Sequence, residues 1–204
     1  MVGRHGAFGI LIGAAVGTLA LVPAHGSAQD ALSVSCADVN LRSPLSNVLL
    51  CALREQVLAQ HILGLWYDTG DYGLTEDDQE AVRWYRLAAE QGWVDAQYHL
   101  GLMYADGEGV PEDDEEAVGW YRLAAEQGYA SAQTNLGLMY VNGEGVPEDL
   151  VLAYMWYNLS ACQGNSYARW YKIIIEQRMT REQIAEAQRL SREWIETHPE
   201  RGGN

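Results

Sequence analysis

Apolar positions recur along this chain at helical spacing, and the whole pattern recurs every 36 residues. Between 95 and 130, Ala96, Leu100, Gly101 and Tyr104 fall at i, i+4, i+5 and i+8, one face of a helix. Asp106-Gly107-Glu108-Gly109-Val110-Pro111 then ends that helix and turns the chain. Asp113 opens a second helix as N-cap, and Glu116 completes a capping-box pattern, as Glu80 does for Asp77. Asp149 keeps the cap in the third copy, where Leu152 replaces the glutamate. Ala117, Trp120, Tyr121, Ala124 and Ala125 form the apolar stripe of the second helix, which Gly128 stops in the left-handed conformation.

Residues 95–130 and 131–166 align without a gap, and 21 of the 36 positions are identical. A third copy, 59–94, precedes them with one extra residue in its turn. The landmarks are Leu63-Gly64, Leu100-Gly101 and Leu136-Gly137, then Trp84-Tyr85, Trp120-Tyr121 and Trp156-Tyr157. A fixed period of this length marks a solenoid, in which each unit buries its apolar face only against its neighbours. Glycine in a helix interior costs about 1 kcal/mol against alanine, so a recurrent Gly64, Gly101 and Gly137 predicts a close helix crossing. The alanine pairs 88/89 and 124/125, with Ala161, allow similar approach, and the Trp and Tyr stripes read as core.

The motif Ala-x-x-x-Leu-Gly-x-x-Tyr, then Gly-x-Gly-Val-Pro-x-Asp, then Ala-x-x-Trp-Tyr-x-x-Ala-Ala-x-x-Gly resembles the Sel-one-like repeat (SLR), a relative of the tetratricopeptide repeat (TPR). The resemblance covers residues 59–166. It implies an all-α, right-handed α/α superhelix, a TPR-like solenoid of three repeats of 36–37 residues, used mainly as a protein-binding scaffold or adaptor. One role it implies is a periplasmic regulator that holds a sensor kinase inactive through its extracytoplasmic domain. It names no partner.

The ends differ from the repeats. Residues 1–28 read as a secretory signal peptide: Arg4, an uncharged apolar run from Ala7 to Val22, and small residues at Gly26-Ser27-Ala28. Cleavage is expected after Ala28, with Gly26 the second choice. An uncleaved anchor is the alternative, but the run is short of the roughly 20 residues that span a bilayer. The protein is accordingly expected to be secreted, into a bacterial periplasm. Residues 29–58 form a lead-in and an N-terminal capping helix, with Ser43-Pro44 starting a helix through Gln56. Leu49, Leu50, Leu53 and Val57 are expected to cover the first repeat. Residues 167–204 supply the C-terminal caps: a first-helix equivalent over 167–177, then a Thr180/Gln183 capping box and an amphipathic helix carrying Ile184, Ala187, Leu190, Trp194 and Ile195.

Charge narrows the partners. The chain carries a formal −15, and loss of residues 1–28 leaves 12 Lys and Arg against 28 Asp and Glu, or −16. Nothing basic is clustered to neutralise phosphates, which excludes nucleic acid. The acids gather in the repeated turns, and Glu112, Asp114 and Glu115 form the densest ridge. Helix-dipole pairing and solubility account for such acids in general. The alternative is a ridge that steers a basic protein or peptide.

Candidate chemistry is sparse. Cys36 and Cys51, 15 positions apart, are one candidate disulfide pair in an oxidising compartment, with two free thiols the alternative; Cys162 would then be the odd thiol, read as a small, semi-buried residue. A cysteine-rich branch of the family, associated with penicillin binding and weak β-lactamase activity, has disulfides between neighbouring helices. The bridging positions here, Ala89/Ala96, Ala125/Ala132 and Ala161/Ala168, are all alanine, and no Ser-x-x-Lys motif occurs. An enzyme of that kind is the rival reading; no catalytic residue, cofactor or metal site is expected. His61 and His99 occupy neighbouring rather than equivalent repeat positions, with no thiolate or carboxylate at ligand spacing. They read as solvent-facing residues of a repeat surface.

First helices line the concave face of TPR-like solenoids. Binding is therefore expected at Gln60 and His61, at Gln97, Tyr98 and His99, and at Gln133, Thr134 and Asn135. The three glutamines would form a hydrogen-bonding row for an extended peptide; solvation or an inter-repeat contact is the other reading. Leu65, Leu102 and Leu138 either join this groove or belong to the core.

Overall fold

The computed structural model describes residues 35–199. The expected signal peptide, residues 1–28, and the tail 200–204 lie outside the described residues. Among the described residues the chain is all helix: α1 (Leu45–Leu53), α2 (Val57–Thr69), α3 (Asp78–Glu90), α4 (Val94–Asp106), α5 (Asp114–Glu126), α6 (Ala130–Asn142), α7 (Leu150–Cys162), α8 (Ser166–Glu176) and α9 (Arg181–Thr197). Within each repeat a first helix (α2, α4, α6) pairs with a second (α3, α5, α7), and each second helix packs on the next first helix. This is the all-α solenoid that the repeats imply.

Local chemistry sets the helix ends. The carboxylates of Asp77, Asp113 and Asp149 accept hydrogen bonds from backbone N–H groups in the first turns of α3, α5 and α7. The reciprocal half of a capping box forms at Thr180 and Gln183; Glu80 instead pairs with Arg83. The glycine turns also fix how repeats stack. Gly145 has φ +63°, and a Cβ there would lie 2.1 Å from the backbone oxygen of Asp114, one repeat earlier. Gly109 makes the same approach to Asp78, at 2.3 Å and φ +69°. Only a residue without a side chain brings the turn so near the preceding second helix.

Within each repeat, a tyrosine seats on a glycine. A Cβ on Gly101 would meet the Tyr121 ring at 2.6 Å, one on Gly64 the Tyr85 ring at 2.5 Å, and one on Gly137 the Tyr157 ring at 2.7 Å. All three tyrosines are buried. The mid-helix glycines are thus sockets for the aromatic ring of their own second helix. Ala88, Ala89, Ala124 and Ala125, all buried, let successive helices close around them.

Three expectations change. First, α1 ends at Leu53 instead of Gln56, because Glu55 takes φ +60° to turn the chain into α2. Val48, Cys51 and Ala52 are its buried residues, and Leu53 is exposed. The helix stands in the register of a second helix, since Ala52 falls where Ala89 does. Cys36 is joined to Cys51, Sγ–Sγ 2.04 Å, across 15 positions of sequence. Second, Cys162 is exposed at the end of α7. Third, Trp84 and Trp156 are buried but Trp120 is only half so. Its neighbour Gly119 stands where the other repeats have Arg83 and Met155, and it covers nothing.

The C-terminal helices do not complete a fourth repeat. Helix α9 packs against α7, with Trp194 edge-on to Trp156 at 6.3 Å, rather than pairing with α8. At the socket position α8 carries Ile173, which no tyrosine can overlie, and Tyr167, Trp170, Ile173 and Ile174 remain exposed.

Candidate protein-interaction surface

The glutamine row is inside the molecule, not on a surface. Gln60, Gln97 and Gln133 are 3%, 4% and 0% exposed. Gln97 donates to the Ala89 carbonyl of the preceding repeat at 3.1 Å and accepts from Gln127 at 2.7 Å. Gln133 donates to Ala125 at 3.1 Å and accepts from Gln163 at 2.9 Å. Gln60 donates to Ala52 of α1 at 3.4 Å and accepts from Gln91 at 2.7 Å. Each amide satisfies a carbonyl in the last turn of the previous second helix, so the row is a joint between repeats that no peptide reaches. The co-recurring Gln91, Gln127 and Gln163 were the sequence signal for this pairing.

Thr134 is also buried. Its hydroxyl donates to Ala130 and lies 2.8 Å from the Ser160 hydroxyl. His61 and His99, expected to face solvent, are half-buried in an aromatic cluster instead. The His99 ring stacks on Tyr85 at 5.0 Å, and His61 lies about 6 Å from Tyr85, Trp93 and His99. The Tyr85 hydroxyl donates to Asp68 at 3.0 Å. Tyr98 continues the cluster towards Tyr121 and Tyr129.

Burial, with the neighbouring His99, pushes the His61 pKa down to about 4, against a smaller opposing pull from Asp95. His99 is lowered by burial as well. The unfolded chain takes up the His61 proton near pH 6.5, whereas the folded chain resists it until about pH 4. Stability is therefore complete above pH 6.5 and falls as pH drops towards 4, by about 2–3 kcal/mol for this group. His61→Phe should flatten the decline of melting temperature over that window. An unchanged slope would mean that the imidazole protonates freely.

What remains open is a groove between the second and third repeats, of about 310 Å³. Leu102 and Ala105 of α4 and Leu138 and Met139 of α6 give it an apolar lining, with Tyr121 and Asn135 beside them. Four carboxylates share the groove: Asp106, Glu112, Asp114 and Glu144. The structure thus brings together Asn135, Glu112 and Asp114 from the two separate candidate sets. Glu115 is exposed but does not line the groove, and Gln97, Gln133 and Thr134 leave it. Negative charge is crowded at the turns generally: Glu108 is held above the ordinary carboxyl value by partial desolvation and by Asp106, Asp78, Asp68 and Glu76.

The Sel1 repeat family model matches residues 57–93, 94–129 and 130–165, just over half of the chain. The chain belongs to the Sel1 repeat family. Sel1 repeats generally serve as protein–protein interaction scaffolds. The chain is similar to a Sel1 repeat protein from Oxalobacter formigenes of known crystal structure. The two are 44% identical with a TM-score of 0.58, over 63% of this chain and 96% of that one. A second similarity is to c5321, a protective antigen of uropathogenic Escherichia coli strains with an SLR fold. It is 26% identical with a TM-score of 0.49, over 82% of this chain and 44% of that one. No curated protein matches. None of the described helices is long and apolar enough to cross a membrane.

Proposed function

We propose that this Sel1 repeat protein is a secreted, periplasmic, non-catalytic adaptor that binds a basic segment of an envelope signalling or assembly protein. The observation that carries the reading is the groove between repeats two and three, where an apolar lining is ringed by Asp106, Glu112, Asp114 and Glu144. Such a site favours an extended segment that alternates apolar and basic side chains. The apolar contacts supply affinity, and the acidic field raises the association rate. The Cys36–Cys51 disulfide suits an oxidising compartment and supports the periplasmic reading, as does the leader pattern in residues 1–28.

The test uses the mature chain as bait in crosslinking pull-downs from envelope extract. The partner so found is then measured against Glu112→Lys with Glu144→Lys. Affinity should fall at least about tenfold, or about 1.4 kcal/mol, with slower association and a flatter salt dependence. Both side chains are exposed, so the melting temperature should barely move. Undiminished affinity and an unchanged association rate would place the partner elsewhere on the molecule.

A further inference from the structure

A second cleft, of about 390 Å³, lies along α5 and shares no residue with the groove above. It is lined by Glu116, Gly119, Trp120, Arg122, Leu123 and Glu126. Gly119 makes it. This glycine sits inside a helix, where glycine is the least favourable ordinary residue. Neither of the usual reasons for one applies: its φ is not positive, and a Cβ added to it would meet nothing within 4 Å. Trp120 beside it is half-buried, and Leu123 one turn on is exposed.

The other repeats show what belongs there. In the first repeat the equivalent position is Arg83, whose guanidinium pairs with Glu80 one turn back. The second repeat keeps that glutamate as Glu116 and deletes the arginine to Gly119. The third replaces the pair with Leu152 and Met155, and Met155 is buried. The second repeat therefore keeps the acid, with the half-buried Trp120 beside the vacated position, without the arginine itself. Arg122 does not take the place, because its Nη2 donates to the Tyr140 hydroxyl at 3.1 Å, in the next repeat.

We propose that the Gly119–Trp120 cleft accepts an arginine side chain of a partner protein. Its guanidinium pairs with Glu116, and its aliphatic stem lies over the Trp120 ring. The chemistry suits arginine more than lysine, because a planar, weakly hydrated cation can stack on indole while its N–H groups bond a carboxylate. A second copy of this chain is disfavoured as occupant, since two molecules at a formal −15 repel.

The full ¹⁵N-labelled chain is titrated with blocked pentapeptides, Ala-Ala-Xaa-Ala-Ala, in which Xaa is arginine, lysine, citrulline or norleucine. The arginine peptide should shift the Gly119 amide and the Trp120 indole resonances saturably at millimolar concentration, less at high salt. Citrulline, which keeps the shape and loses the charge, should bind at least about tenfold more weakly, as should norleucine. Gly119→Arg supplies the missing side chain from within, so it should melt no lower than wild type and lose the response. Glu116→Gln should weaken it with the fold intact. The proposal is overturned by no saturable shift with arginine, by citrulline matching arginine, by an undiminished response in Gly119→Arg, or by ligand-induced dimerisation in sedimentation. Groove variants at Glu112 and Glu144 should leave the response unchanged, which separates failure of this site from failure of the adaptor reading.

Discussion

Gly101→Leu is expected to destabilise the protein by about 3 kcal/mol, although leucine is the better helix former by about 1 kcal/mol. The first added carbon already falls 2.6 Å from the Tyr121 ring, and that ring is 2% exposed. The strain must move α4 away from α5 or force the ring from its rotamer, and both disturb the neighbouring repeats. Urea denaturation of wild type and variant checks it. A midpoint equal to wild type would show that the socket yields without cost.

Tyr121→Ala is the complementary change and should cost about 3–5 kcal/mol, by loss of buried area and by the cavity left at the centre of the array. The two substitutions are not independent. Leucine at 101 would fill part of the space that the ring vacates. The double variant should therefore be more stable than the sum of the single losses predicts, by about 1 kcal/mol or more. Additive losses would mean that the ring and the glycine do not share one space. The same cycle applies to Gly64 with Tyr85 and Gly137 with Tyr157, where the approach is as close.

Much of the fold was legible because the repeat states each feature three times. A single mid-helix glycine is ambiguous, but three at one position, each followed by a tyrosine at one position, imply a crossing. Burial of polar residues was harder to read. Gln97 lies beside Ala96 and looks solvent-facing until its partner Gln127 is noticed 30 positions on. Trp120 looked like core because Trp84 and Trp156 do, yet it is only half-buried, next to Gly119, where the periodicity breaks. The break was visible in sequence; what it opens was not. Leu102 and Leu138 could be placed in the groove only after the helices were in position, because repeat spacing does not say which flank of a first helix is covered. The ends escaped for a related reason. Nothing in the apolar pattern of α9 distinguishes packing on α8 from packing on α7.

The glutamine joint bears on how such a chain can change length. From α1 to the third repeat, each of the three junctions joins a first-helix glutamine, a backbone carbonyl of the previous unit and a second glutamine from its own unit. Since all three couplings use the same parts, the helix before a junction and the helix after it need not be native neighbours. Duplication or excision of one 36-residue unit would restore an equivalent coupling at the new boundary. The joints therefore permit arrays of any number of units. The array is flanked by α1, which provides a carbonyl for the first coupling, and by α9, which folds back onto α7 and leaves α8 without a second helix of its own.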